Sequence, residues 1–538
     1  MENPCLTQGT KRRYSGEQGK RTLFGSVDGV AYDDRNTPPQ DSVLARIHYT
    51  NSQRARQTRS TSDEKAAAVR KPTERGQEAQ GNEMESRRED YYRNLYSTEP
   101  DFHRLGLQYP EFGAMLKGGA HLDFTDPAAV MQLTKTLLKE DFGIQIDLPP
   151  NRLCPPVPNR HNYLLWLKDL LDSTSPSYSQ QYDPGRKVTG VDIGTGASLI
   201  YPLLGCVQRP NWHFIATDID AESLASAREN ARLNNLEARI HIVDRRASDS
   251  LVPDLDGNTI IDFVMANPPF YSSDAELQEL AAQKSKPPHS ACTGAPVEMV
   301  CEGGEVEFVE RIINESLLLR GRVQWYTAML GKQSSIEILI GTLKKHKINN
   351  FAVTTFIQGS KTRRWGLGWS FLNRRPSMGA ARGCGSSISK NMLPPATEIF
   401  IYASLKSDRT DPIQFLQKIL RDTIGPLSLR SWGWDDQRLR GVGFADGNVW
   451  SRAYRRRRAG NSVAMDLQES VVSRLDVGDC AFGFSVSIQF ESVNKSDGSS
   501  PAIILCWLQG DDESLFESFS GVIRRCLRTE SSGRPGLQ

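Results

Sequence analysis

The segment "DFVMANPPFYSS", residues 262 to 273, constrains this chain more than any other stretch of it. Four apolar residues, Phe263 to Ala266, run directly into Asn267-Pro268-Pro269-Phe270. Proline has no amide hydrogen for a sheet ladder and holds φ near about −65°, so two in succession end a buried strand abruptly. Something at that end of the strand has to require the stop.

The neighbouring segments place that strand in a sheet. "KVTGVDIGTG" predicts a buried strand entering a glycine turn, and "SLIYPLLGCVQ" a helix after it. "WHFIATDID" predicts a second strand, "AESLASARENARLNN" a second helix, "ARIHIVD" a third strand and "TIIDFVMANPPF" a fourth. Upstream, "DPAAVMQLTKTLLKEDFG" has a helix capped by Asp126, with Pro127 in its first turn and Gly143 as its stop. Strands alternating with helices imply an α/β fold: a doubly wound, mostly parallel, Rossmann-like sheet covered on both faces. Such sheets bind ligands at the carboxyl ends of their strands.

Composition divides the rest. The apolar fraction is 38%, low for a chain of 538 residues that is globular throughout. Residues 1–85 are polar, without an apolar period, and are expected to be disordered. The fold above is expected to occupy 86–372. "NRRPSMGAARGCGSSISKNMLPP", 373–395, is expected to be a flexible linker. Residues 396–538 order as strand, helix, two strands and helix, a small α+β domain. Basic and acidic residues nearly balance, 66 against 64, so any nucleic-acid surface has to be a local patch. The nine cysteines form no C-x-x-C pair, which disfavours a zinc knuckle or a disulfide framework and favours a reducing compartment. No bound metal is expected. With no run of 18 apolar residues and no apolar leader, neither secretion nor a membrane partner is expected.

The chemistry gathers at the strand ends. Gly194 and Gly196 let the backbone approach a ligand closely, and Asp192 can accept from an ammonium group. As G-x-G without a third glycine, this turn alone is a weak dinucleotide fingerprint. Asp218 ends the next strand about 20 residues on, where a ribose diol is usually held. Asp220 is the better helix cap, which leaves Asp218 for the ribose. Asn267 would sit beside this turn. Its side-chain carbonyl and the Pro268 carbonyl can accept from an exocyclic amine, with Pro268 and Pro269 fixing both acceptors. Phe270 offers a face on which a base can stack. Orienting the amine lone pair toward a methyl donor calls for no metal and no strong base.

"VDIGTGAS", "IYPLLG", "ATDID", "ANPPF", "CEGGEVEFVERIINESL", "WYTAMLGK" and "RRWGLGWSF", in that order, resemble the methyltransferase-like protein 16 family over about residues 88–372. The resemblance implies a class I methyltransferase domain that uses S-adenosyl-L-methionine. It implies methylation of an adenosine N(6) in structured RNA, with U6 small nuclear RNA as the family's substrate. It assigns the cofactor to Arg160, Gly194, Asp218 and Asn267. Aspartate at 218 departs from the family's usual glutamate. RNA contacts fall on Tyr92, Arg93, Asn94, Lys284, Lys286, Lys332, Lys361, Arg363 and Arg364. A nuclear, monomeric enzyme is expected, with "TKRRYSGEQGKR" as a candidate import signal and "RAYRRRRAG" as a second basic patch. Two other readings stay open: the same chemistry on ribosomal RNA, and a structured-RNA-binding regulator whose catalysis is secondary or lost.

Overall fold

Residue patterning builds the molecule outward from one strand. In Ile261–Ala266, Phe263 and Met265 point into one apolar cluster, and Val264 and Ala266 into another on the opposite face. That alternation is the pleat of a strand buried on both sides. The computed structural model describes residues 88–254, 259–273, 275–276, 294–358, 362–402, 411–461, 478, 480–491 and 500–531. The expected tail at 1–85 and its candidate import signal lie outside the described residues.

The main sheet consists of β1 (Val188–Ile193), β2 (Trp212–Asp218), β3 (Ile240–Asp244), β4 (Ile261–Ala266), β5 (Val323–Leu330), β6 (Phe351–Gln358), β7 (Thr362–Trp369) and β8 (Arg382–Gly383). Their order is β8-β6-β7-β5-β4-β1-β2-β3. The first five strands of this sheet run parallel, so Ile193, Asp218, Asp244, Ala266 and Leu330 end at one edge. β7 runs against β5, and β6 against β7, making the sheet mixed at that side.

Helices α1 (Pro127–Phe142), α2 (Val157–Ser173) and α3 (Ile200–Gln208) cover one face. After α4 (Ala221–Leu233) and the short α5 (Pro296–Met299), helices α6 (Gly304–Leu319) and α7 (Gln333–Lys345) cover the other. α1 starts and stops as its sequence dictates. Asp126 accepts from Ala128 N at 2.9 Å, Pro127 occupies the first turn, and Gly143 closes the helix at φ 68°.

An ionic cluster ties the first described residues to α2. The fully buried Lys168 pairs with Glu89 at 3.0 Å, and Arg209 pairs with Glu89 at 3.2 Å and Asp172 at 2.8 Å. Beside it His161 is 0% exposed, its Nε2 2.8 Å from the Tyr92 carbonyl. Burial lowers its pKa from 6.5 to about 4, the Tyr92 hydrogen bond opposing. The folded state thus binds this proton less readily than the unfolded chain. Stability from the neutral ring is whole above pH 6.5 and is lost as pH falls toward about 4. His161→Gln keeps a donor for Tyr92 and should flatten that part of a stability–pH profile measured by urea unfolding. An unchanged slope would exclude His161 as its source.

The stretch 373–395 corrects the expected flexible linker. Ser377 caps a short helix, Met378–Ala381, and β8 then pairs with β6. Its Gly, Ser and Arg content reads as linker, yet Arg375 is 2% exposed among acceptors from distant segments. Beyond it lie β9 (Glu398–Tyr402), β10 (Ser431–Asp435), β11 (Arg440–Ala445), β12 (Phe482–Glu491) and β13 (Ser500–Gln509). They form an antiparallel sheet, β9-β13-β12-β11-β10. Helices α8 (Pro412–Ile424) and α10 (Glu513–Ser531) close a separate apolar core against it. The expected strand-helix-strands-helix pattern therefore gains the β10–β11 hairpin and a helix, α9 (Arg452–Asn461), built on the basic run. Among the described residues no helix is long and apolar enough to cross a membrane.

Candidate active site at the carboxyl edge of the sheet

β1 ends in the glycine turn. Gly194 and Gly196 adopt φ 71° and 65°, conformations that cost a residue with a Cβ. The amides of Gly194 and Thr195 both donate to the Thr217 carbonyl, at 2.9 and 3.0 Å, stitching the turn to the end of β2. Gly196 N donates to Asp218 Oδ2 at 2.8 Å. Asp218 Oδ1 accepts from the amides of Ile219 and Asp220, at 2.8 and 3.0 Å. Burial raises the Asp218 carboxyl pKa, against the pull of those amides. Asp220 caps α4 by accepting from Ser223 N at 2.8 Å, as its spacing predicts.

Behind the turn, Asp192 is fully buried. Its Oδ2 accepts from Thr195 Oγ1 at 2.7 Å, while its Oδ1 has no partner among the described residues. Burial pushes this carboxyl up to about 7. Arg160, in the first turn of α2, is 5% exposed and has no ion pair among the described residues; its guanidinium lies 5.8 Å from the Tyr201 ring centre. An unpaired cation this deeply buried is costly, so its place at the site favours an anionic partner that the described residues do not supply. The Tyr201 hydroxyl is likewise buried without a partner among the described residues.

β4 delivers Asn267 to the same edge. Asn267 Oδ1 is buried and, among the described residues, unpartnered, a costly state unless something donates to it. The strand end beneath it is pinned. Thr327 Oγ1 donates to the Val264 carbonyl at 2.9 Å and shares a 2.8 Å hydrogen bond with Tyr163 Oη. Past the buried Pro268 and the partly exposed Pro269, Tyr271 N donates to Met299 O at 3.1 Å, and Cys301 N to Tyr271 O at 3.0 Å. Phe270 lies against Gly331, where an added Cβ would come within 2.9 Å of the ring, and the Arg364 guanidinium is 5.2 Å from its centre. Burial lowers the pKa of Arg364, with Arg160 adding to the effect.

The structure therefore brings Arg160, Asp192, Gly194, Gly196, Asp218, Asn267, Pro268, Pro269 and Phe270 to one edge of the sheet, with Arg364 beside Phe270. It adds two acids the motif reading did not single out. Glu305, 2% exposed, accepts from the amides of Gly331 and Lys332, at 2.6 and 3.0 Å. Glu298 accepts from those of Leu153 and Ala295, at 2.9 and 2.8 Å. Glycine beside glutamate in "CEGGEVE" was the available signal for the first; the second had none.

The expected RNA contacts divide. Tyr92 is corrected: it is 4% exposed and stacks on Phe142 at 5.6 Å, so its ring belongs to the core rather than to an exposed contact surface. Arg93 is exposed but pairs with Asp169 at 2.6 Å, and Asn94 Nδ2 donates to the Asp90 carbonyl at 2.7 Å. Asp169 lies nine residues beyond Arg160 on α2, roughly 14 Å along its axis. That end of the helix is away from the site. Lys332 pairs with Glu276 at 2.7 Å, a bond that draws the Glu276 carboxyl down to about 2. Arg363 is exposed next to Arg364. Lys284, Lys286 and Lys361 lie outside the described residues.

The chain is similar to known proteins. Residues 84–373 match the model of a family described as RNA methyltransferase. The U6 small nuclear RNA (adenine-(43)-N(6))-methyltransferase of Schizosaccharomyces pombe is 34% identical over 414 residues, 76% of this chain and 95% of that protein. The human RNA N(6)-adenosine-methyltransferase METTL16 is 42% identical over 290 residues, 52% of this chain and 50% of that protein. The chain thus spans about half the length of that vertebrate relative. The crystal structure of the human catalytic domain with a MAT2A 3′UTR hairpin is 41% identical over 52% of this chain and 94% of that one, with a TM-score of 0.47.

Proposed function

The chain belongs to the RNA methyltransferase family matched by its residues 84–373, and from that membership we propose that it methylates the N(6) amine of an adenosine in structured RNA, with U6 small nuclear RNA as substrate. The observation that carries the reading is Asn267 Oδ1, buried and without a partner among the described residues, at the carboxyl end of β4 beside the glycine turn. The name of the S. pombe relative, which this chain spans over 95% of its length, supports the choice of RNA.

S-adenosylmethionine, when bound, supplies an electrophilic methyl group. The residues fit it: Arg160 would hold its carboxylate, Asp192 face its ammonium group, and Asp218 face its ribose. Asn267 Oδ1 and the Pro268 carbonyl accept the two N–H bonds of the adenine amine. That draws the nitrogen lone pair out of the ring and turns it toward the methyl. Phe270 stacks the base so that attack is in line. Positioning of this kind replaces an acid or base catalyst and can supply several kcal/mol of the barrier, the scale of intramolecular reactions. The surplus proton leaves to solvent. We place the enzyme in the nucleus, acting as a monomer, in keeping with a small nuclear RNA substrate.

The test is methylation of a panel holding a U6 hairpin, a ribosomal RNA fragment and an unstructured control, with the product mapped to atom and nucleotide. N(6)-methyladenosine in the U6 hairpin is expected. Product on the ribosomal fragment alone would move the substrate, and no product on any RNA would leave a binding protein.

The C-terminal sheet carries the exposed Arg455, Arg456 and Arg457 on α9, with Arg458 bonded to Ser428 Oγ. Duplex stems are bound mostly through phosphates and 2′-hydroxyls. Replacing Arg455 to Arg458 with serine should raise Kd for structured RNA. It should flatten the log Kd against log salt slope by about 0.7–0.9 for each phosphate that is no longer neutralised. Identical slopes would show that this helix is only a solvated face.

A further inference from the structure

A carboxylate can accept about four hydrogen bonds, two at each oxygen. Asp218 already accepts three from the backbone: two at Oδ1, from Ile219 and Asp220, and one at Oδ2, from Gly196. One position is left. A ribose diol has two hydroxyl donors, so Asp218 can take only one of them without breaking the turn that it holds together. A second acceptor near Gly196 would take the other hydroxyl.

Glu298 occupies that place. Its Oε2 is filled by the amides of Leu153 and Ala295, which fix the side chain. Its Oε1 lies 3.7 Å from where a Cβ on Gly196 would stand. Gly196 is thus flanked by two carboxylate oxygens with accepting capacity, Asp218 Oδ2 and Glu298 Oε1. The same edge of the sheet is marked as a ligand site by the fully buried Asp192 Oδ1 and the 5% exposed Arg160, neither of them paired among the described residues. We propose that Glu298 is a cofactor-binding residue that shares the ribose diol with Asp218, each carboxylate accepting from one hydroxyl. The division also accounts for an aspartate at position 218. Its shorter side chain hydrogen-bonds the turn, and the glutamate of α5 reaches toward Gly196. The inference rests on the reading of the site as one for S-adenosylmethionine.

The test is calorimetry of the full chain with S-adenosylhomocysteine and its 2′-deoxy and 3′-deoxy analogues. Glu298→Gln keeps an oxygen for Leu153 N and Ala295 N but turns an amide toward the turn in place of Oε1. It should bind S-adenosylhomocysteine about tenfold more weakly, the loss expected for one hydrogen bond to a charged group. The loss should vanish with one deoxy analogue and persist with the other. Asp218→Asn should show the reverse pairing. Should the glutamine variant not fold, Glu298→Asp, which withdraws the carboxylate from Gly196, should give the same pattern. Equal losses with all three ligands would make Glu298 a capping residue only, and unchanged affinity for S-adenosylhomocysteine would likewise overturn the proposal. If wild type bound none of the three, the cofactor reading itself would fall. If wild type bound them and the variants failed to discriminate, only the role of Glu298 would fall.

Discussion

Asn267→Ala should lower the rate of methyl transfer by about 10²–10³, the effect of removing one pre-placed polar group from an active site, while RNA affinity changes little. Asn267 Oδ1 is already buried and, among the described residues, unpartnered, and Thr327 and Tyr163 hold the strand end beneath it. The energetic cost of burying that oxygen is therefore met in the folded protein before substrate arrives. What the adenine amine gains on entry is an acceptor that does not have to reorganise. Loss of the acceptor leaves Phe270 and the surrounding cations to bind RNA, but the amine lone pair stays conjugated with the ring. Single-turnover rates with enzyme in excess, beside a Kd from anisotropy, separate the two effects. A variant with near-normal rate constants would remove Asn267 from the chemistry. A variant with normal chemistry but weak RNA binding would make it a docking residue. Asn267→Asp keeps an acceptor but adds a buried negative charge at an edge that already holds Asp192, so it should rescue poorly at neutral pH.

The part of the site carried by strand ends was legible because two short-range rules coincide there. Short apolar runs alternating with helical stretches located β1, β2 and β4, and glycine or proline marked where β1 and β4 stop, so Gly194, Asp218 and Asn267 fell at one edge. Contacts between distant segments left no such trace. Tyr92 sits in a polar-looking segment, "REDYYRN", yet its ring is buried because Phe142 and α2 offer it an apolar surface. The β10–β11 hairpin was missed because Gly433, Gly441 and Gly443 read as loop. In the structure Gly441 and Gly443 make room for the rings of Trp432 and Phe484, where a side chain would collide. Glu298 and Glu305 are acids in a charged run, and only the amides facing them distinguish them from surface residues. Arg375 shows the same limit most plainly, since its principal acceptor, the Gly510 carbonyl, is 135 residues away.

Arg375→Met should cost about 2–4 kcal/mol, because it strands the buried Gly510 carbonyl, at about 1–3 kcal/mol, and removes the donors that hold the exposed Asn349. Arg375 Nε donates to the Gly510 carbonyl at 2.7 Å, and Nη1 to the Asn349 carbonyl at 3.2 Å. Nη2 lies 3.1 Å from Asn349 Oδ1 and 3.3 Å from Asp511 Oδ1. The guanidinium carbon is 4.2 Å from the Trp507 ring centre. Burial draws its pKa down to about 10, so it remains charged at neutral pH. The ion pair with the exposed Asp511 contributes little, as solvent-facing pairs do. The carbonyls carry the effect, and methionine fills the space without replacing a donor. Lysine should not rescue, because one ammonium cannot reproduce a planar fork aimed at acceptors on two segments. Asn349 precedes β6 and Gly510 follows β13, so these bonds join the catalytic sheet to the C-terminal sheet. The joint lies at the amino-terminal edge of the parallel strands, since Asn349 leads into Phe351, which pairs with Trp369 at the far end of β7. The register puts Phe351 level with Tyr326, so Asn349 lies about six residues, roughly 20 Å, from the carboxyl edge at Leu330, at the usual rise of a strand. Loss of the joint should therefore separate two melting transitions in calorimetry and expose 373–395 to limited proteolysis. Affinity for S-adenosylhomocysteine should stay near wild type, because no cofactor residue touches the joint. A single transition at the wild-type temperature, with 373–395 still protected, would mean that the two sheets are held together by other contacts, such as Tyr178 on Gln509 and Arg440 on Gln180.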